Sequence, residues 1–186
     1  MADNKIYVGY YDASAGQGVN TQISAISKAG FEHVRLDTLS DAELKNLNII
    51  LAQNPSNSNL GSELWNSRSN IDKAVKDGKV FILHDRYVED KVEKFLPGFG
   101  RTDGIYRDFT RGKDINFAHE PLKTGKGGTL NDQSLDNGNW SSHGYADVNK
   151  LPEGYLSLLN TGIANNAVTF AYGYGEGAVI YSSIPM

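Results

Sequence analysis

The sequence predicts an α/β fold of three layers, helix on sheet on helix, around a mostly parallel, flavodoxin-like sheet. Three observations carry this. Short β-branched and aromatic runs alternate with amphipathic segments through the first ninety-odd residues, the order that places helices on both faces of a parallel sheet. One run, LNIILAQNP at residues 47–55, is continuously apolar at its centre, as expected where both sheet faces are covered. Near the C-terminus two more runs, 167–172 and 178–183, flank the turn GYGEG, which predicts an antiparallel hairpin.

The elements follow in order. KIYVGYY (5–11) reads as a buried strand, and DASAGQG as a small-residue loop. VNTQISAISKAG places Val19, Ile23 and Ile26 on one helical face, with Gly30 as C-terminal cap. FEHVRLDT (31–38) is a second strand. Ser40 with Glu43 fits a capping box for a short helix. After the third strand, a helix over 60–77 carries Leu64, Trp65, Ile71, Ala74 and Val75 as apolar positions. VFILH is the fourth strand, and residues 85–95 form the next helix, ended by Pro97-Gly98. Residues 98–154 form a loop-rich insertion with short strands at INFAH and GGTL. YLSLLNT then restores regular structure.

Composition narrows the function. A chain of 186 residues suits one domain with a proper core. A formal net charge of −4 without clustered Lys and Arg gives no footprint for nucleic acid, and no apolar run is long enough to span a bilayer. The absence of cysteine removes disulfides, thiolate nucleophiles and Cys-ligated zinc. Abundant Gly, Asn, Ser and Tyr suits either an extracellular module or simply long turns. The sequence stops directly after a strand, which suggests a domain of a longer chain.

Ligands of open parallel sheets bind beyond the carboxyl ends of the strands. Three predicted loops lie there. They supply Asp12, Ser14 and Gln17; Gln53, Asn54 and Asn57; and His84, Asp85 and Arg86. Any solvated loop also shows such residues, so a purely structural role competes at each position. The fourth turn holds no Ser, Thr or Cys to attack a substrate. Asp85 is a formal alternative, but His84 beside it points to the opposite sheet face, and Asp85 suits a helix cap. The four histidines, His33, His84, His119 and His143, show no metal-binding spacing. Asp132, Asp136 and Asn137 lie in the densest polar segment and are hard oxygen ligands suited to calcium, although Asn, Asp and Gly also build tight turns. The first loop has the Ser and Gly of a flavodoxin-type phosphate site, a match of two residue types.

IYVGYYD, NLNIILAQNP, IDKAVKDGKVFILHD and VTFAYGYGEGAVIYSSIPM together resemble the class I glutamine amidotransferase-like superfold, and within it the trehalose-utilisation (ThuA)-like branch. The resemblance covers most of the chain. It implies a nucleophilic Cys at the elbow after the strand ending at His84, and late His and Glu partners. Here the elbow reads His84-Asp85-Arg86 and no His-x-Glu pair is present near the end. The family's release of ammonia from glutamine is therefore not expected.

Two principal readings compete. One is a non-catalytic binding or structural module of a larger, exported bacterial protein, one domain over 1–186, with Ser14, Gln17, Asn54 and Arg86 as ligand contacts. The other is a hydrolase or carbohydrate-processing enzyme using Asp12, His84, Asp85 and His143. A flavin-type binder is a third. Flanking domains and a small molecule or carbohydrate are the expected partners, without nucleic acid or membrane insertion. No cofactor is expected, calcium apart. The expected location is extracellular or on the cell surface, with the cytoplasm kept open.

Overall fold

Strand β1 (Tyr7–Asp12) forms where Val8, Gly9 and Tyr10 are buried in succession, and it lies inside the sheet between β2 (Glu32–Arg35) and β3 (Ile49–Asn54), parallel to both. The computed structural model describes residues 5–12, 19–54, 59–88, 92–108, 114–126, 128–136 and 142–184. β4 (Val80–Asp85) continues the parallel row beside β3. Between these strands run α1 (Val19–Lys28), α2 (Asp41–Leu44), α3 (Ser62–Asn66) and α4 (Arg68–Lys76), and α5 (Val92–Phe95) follows β4.

The insertion is more structured than its composition suggests. It carries β5 (Ile105–Arg107), β6 (Ile115–Phe117), the two-residue strands β7 (Thr124–Gly125) and β8 (Gly128–Thr129), and β9 (Gly144–Asp147). β10 (Leu156–Thr161), β11 (Asn166–Tyr174) and β12 (Gly177–Ser182) complete the chain. The main row of strands is β2-β1-β3-β4-β12-β11-β10-β6, with β9 pairing β11, and β5 pairing β9. Its parallel half, β2-β1-β3-β4-β12, is the 2-1-3-4-5 order of flavodoxin-like sheets. β12 is thus the fifth parallel strand as well as half of the expected hairpin.

That hairpin closes tightly for a local reason. Tyr174 pairs with Gly177 across Gly175-Glu176, and Gly175 has φ +60, a left-handed conformation that glycine adopts without steric cost. A Cβ on Gly177 would lie 2.2 Å from the Lys79 carbonyl oxygen, so glycine also lets the turn sit on the start of β4.

Two apolar clusters cover the two sheet faces. Val8, Tyr10, Leu51 and Ile26 of α1 form the smaller one, joined by Ile23, Ile49 and Ile82. The larger one gathers Ile50, Ala52, Phe81, Leu83, Val179 and Tyr181 from the strands with Leu44, Leu64, Ile71, Val75, Val92 and Phe95 from the other helices. Phe81, Phe170 and Tyr181 are fully buried there.

Three local expectations are corrected. The helix expected over 60–77 is two helices, because Ser67 leaves helical geometry at φ −92, ψ 5. Glu43 does not complete a capping box. Its carboxylate accepts from the backbone N–H groups of Asp37 and Thr38 instead, and the Ser40 side chain makes no cap bond. Asp85 does not open a helix: it ends β4, and the helix that follows is Val92–Phe95.

β6 shows what Asp132 and Asp136 do. The Ile115 N–H donates to Asp136 Oδ1 at 2.8 Å, and the Phe117 N–H to Asp132 Oδ1 at 3.0 Å. β6 pairs with β10 on its other side, so the two carboxylates satisfy N–H groups that an edge strand would leave open. Asp132→Ala should therefore lower stability by about 1 kcal/mol, measured by urea denaturation, and equally in EDTA and in calcium. A loss seen only with calcium present would assign the carboxylate to a metal instead.

Candidate functional site

Partnered residues of a parallel pair project to the same sheet face, and this aligns a polar row at the carboxyl ends of the strands. Asp12 pairs with Gln53, Gln53 with His84, His84 with Ser182, and Ser182 with Thr169 of β11. Leu51 and Ile82, two residues earlier on their strands, belong to the cluster under α1, so the row lies on the α1 face. Four adjacent parallel strands thus end their apolar run with a polar residue at one level, and Thr169 of the antiparallel β11 extends the row.

The row is bonded along its length. Thr169 Oγ1 and Ser182 Oγ lie 2.8 Å apart, and both residues are buried. Gln22 of α1, fully buried, donates its Nε2 to Gln53 Oε1. His84 Nδ1 is 3.0 Å from the Ile184 carbonyl oxygen. A carbonyl can only accept, so Nδ1 carries the proton and Nε2 presents a lone pair in the neutral ring. Burial holds the His84 pKa below its ordinary value, which keeps the ring in that neutral form. His84 Nε2 has no hydrogen-bond partner among the described residues, and it is the acceptor the row offers.

Asp85 turns to the other face. Its Oδ1 accepts from Asn54 Nδ2 at 2.8 Å and from the Tyr87 N–H at 3.0 Å, while Oδ2 accepts from the Tyr181 hydroxyl at 3.1 Å. The Val88 N–H also bonds this carboxylate. Burial pushes the Asp85 pKa up, and the four donors oppose the rise without cancelling it. The same burial, with the Asp85 carboxylate beside it, raises the Tyr181 hydroxyl well above its usual value. The elbow is a knot of buried polar groups tied by its own hydrogen bonds.

The backbone beyond Asp85 is strained. Val88 is buried and has φ 50, a conformation that costs a β-branched residue about 1–3 kcal/mol. Gly144 of β9 packs directly on it: a Cβ there would lie 2.6 Å from Val88 Cγ1 and 2.3 Å from the Tyr106 carbonyl oxygen. His143, next to that glycine, is buried and hydrogen-bonds the Arg86 carbonyl, while its own N–H donates to the Ser183 carbonyl at 2.9 Å. Burial, and then the nearby Arg86 charge, hold the His143 pKa down. The insertion therefore supplies one wall of the elbow.

These positions sort the residues expected from the sequence. Asn54 and Asp85 meet in a direct hydrogen bond. His143 meets the backbone of Arg86. Asp12 and His84 share a face but sit two strands apart, about 10 Å between backbones. His84 and Asp85 make no bond to each other. Ser14 and Gln17 lie outside the described residues, as does Asn137 of the calcium candidates. Asp132 and Asp136 stand at β6, away from the parallel strand ends. Among the described residues no group of three or more His, Asp or Glu could hold a metal. Gln22, Tyr181, Ser182, Val88 and Gly144 were not expected. One of them left a signal: Gln22 stands four residues before Ile26 on the apolar face of its helix, where a polar residue needs a partner.

No family model and no curated protein matches the chain. Its fold is similar to that of several solved structures. A cytoplasmic protein of Salmonella typhimurium LT2 aligns with a TM-score of 0.61 at 11% identity, over 97% of this chain and 88% of that one. Another cytoplasmic protein of Salmonella typhimurium aligns with a TM-score of 0.56 at 13% identity, over 96% and 87%. A Thermoplasma acidophilum protein described as a candidate component of GMP synthase aligns with a TM-score of 0.54 at 14% identity, over 97% and 83%. At these identities the likeness concerns the fold alone.

Proposed function

We propose that this chain is a non-catalytic module of amidotransferase-like fold that binds a small polar molecule of the polyol or carbohydrate class at the α1-face strand ends, around Asp12 and His84. One observation carries the non-catalytic part: the elbow Asp85 is fully buried and already accepts from Asn54, Tyr181 and two backbone N–H groups. A carboxylate so occupied has no position left for a substrate or a water, and no histidine bonds it as a base. The row on the other face supports the binding part. Among the described residues its open acceptor is the lone pair of a neutral His84, and Asp12 adds a carboxylate beside Gln53. Such a set favours ligands that donate hydrogen bonds, as hydroxyls do, and disfavours phosphate. A flavin phosphate therefore gains no support from these residues.

Within this fold, the Gly-rich turn and the Ser-Ile-Pro motif support the ThuA-like branch, and the Gly-, Asn-, Ser- and Tyr-rich composition supports a place in a larger exported chain. Thermal melts against a panel of neutral sugars and polyols test the binding. A stabilising ligand is expected for the native protein, and its effect should vanish in His84→Ala. Hydrolysis of glutamine, ester or glycoside substrates that disappears in Asp85→Asn would overturn the non-catalytic reading.

A further inference from the structure

A groove lies away from the strand ends, on the outer flank of α1. The β7–β8 hairpin stands beside this helix, and between them runs a groove of about 410 Å³, within the roughly 300–1,000 Å³ typical of small-molecule sites. Ala25 and Ala29 line the helix side, and Leu122 and Leu130 the hairpin side. Both leucines are strongly exposed, at 41% and 46% of their surface. Large apolar side chains lining an open groove cost free energy while it stays wet.

Thr21, Ser24 and Thr129 add hydroxyls to the groove, and its charged side chains are of one sign. Lys28 stands in the last turn of α1 and Lys126 in the turn between β7 and β8, and both line the groove. Neither makes an ion pair among the described residues. Their placement at the same end is set by Gly30, which ends the helix at φ +82. A Cβ on Gly30 would lie 2.6 Å from Lys126 Nζ, which places that ammonium against the end of α1. Two cations stand at one end of an apolar trough, and among the described residues no carboxylate lines it.

We propose that this groove binds a small amphiphilic carboxylate of the medium-chain fatty-acid type, its head between Lys28 and Lys126 and its chain along Ala25, Leu122 and Leu130. The charge complement selects the head and the facing aliphatic side chains select the tail. The site is independent of the α1-face row, because Gln22 and Ile26 turn toward the sheet whereas Ala25 and Lys28 turn away from it.

The test uses 8-anilinonaphthalene-1-sulfonate, an anion with an apolar body, as fluorescent reporter and decanoate as competitor. Native protein should give a saturable rise in emission that decanoate displaces. The surface double variant Lys28→Ala/Lys126→Ala should weaken decanoate by about tenfold or more while decanol, which lacks the charge, changes little. Ala25→Trp should fill the groove and abolish both. Unsaturable emission, or a decanoate affinity unchanged in the lysine variant, overturns the proposal. So does a dimer in light scattering whose formation blocks the reporter, since the groove would then cover a second copy. Melting curves of each variant report folding separately, and the lysine variant removes only exposed side chains.

Discussion

Replacing Asp85 by alanine is expected to destabilise the fold by about 3 kcal/mol, whereas asparagine at the same position should cost under about 1 kcal/mol. Alanine strands four donors in a dry site: Asn54 Nδ2, the Tyr181 hydroxyl and the N–H groups of Tyr87 and Val88. Each orphaned donor costs about 1–3 kcal/mol, offset in part by losing the penalty for burying a carboxylate. Asparagine keeps one acceptor oxygen for Asn54 and the backbone, and its amide can donate to the Tyr181 hydroxyl once that rotates. The two variants differ again in pH. Burial raises the folded-state pKa of Asp85, so the folded chain keeps this proton where the unfolded chain has released it. The stability contributed by the group is full below the unfolded pKa of about 4 and is lost as pH rises through the folded value. Subtracting the Asp85→Asn stability from that of the native protein, by urea denaturation across pH 3 to 8, should expose that fall. A flat difference would mean that burial does not dominate at Asp85.

Gly144→Ala should cost about 3 kcal/mol, the scale of overpacking a tight interior. The added methyl would press on the Tyr106 carbonyl oxygen and on Val88 at once. Tyr106 and Gly144 belong to the paired strands β5 and β9, where Arg107 partners Gly144. Relief therefore requires either opening that pair or shifting Val88 out of its left-handed conformation. The second route would disturb the Val88 N–H bond to Asp85. Urea denaturation gives the stability loss, and hydrogen exchange at the Val88 amide separates the routes. Unchanged stability would show that the close approach of β9 to the elbow is not maintained in solution.

The parallel half of the sheet was legible because most of its strands are six residues long and apolar at their centres, long enough for the pattern to stand out. The terminal hairpin was legible through its glycines. β5 and β9 were not, because strands of three and four residues are too short to show a period of two. GYAD also sits within a polar stretch that composition marks as turn. The roles of Asp132 and Asp136 were hidden for a related reason. Carboxylates that cap backbone N–H groups have the same residue type and spacing as ligands of a cation, and only the position of β6 distinguishes them. At the strand ends, alternation alone placed His84 and Asp85 on opposite faces. The in-register row that joins His84 to Ser182, nearly a hundred positions later, depends on β12 entering beside β4, which no local pattern records.

The two carboxylates on β6 also bear on self-assembly. Strand pairing between molecules needs open N–H groups on a sheet border, and along the main row one border is occupied by Asp132 and Asp136 while β2 forms the other. Fibrils grow when each added chain presents a fresh border to the next. Along the main row, a molecule that docked through β2 would present only its occupied border, so pairing there would end with two chains. Under stress, association along this row would produce bounded pairs instead of endless stacks.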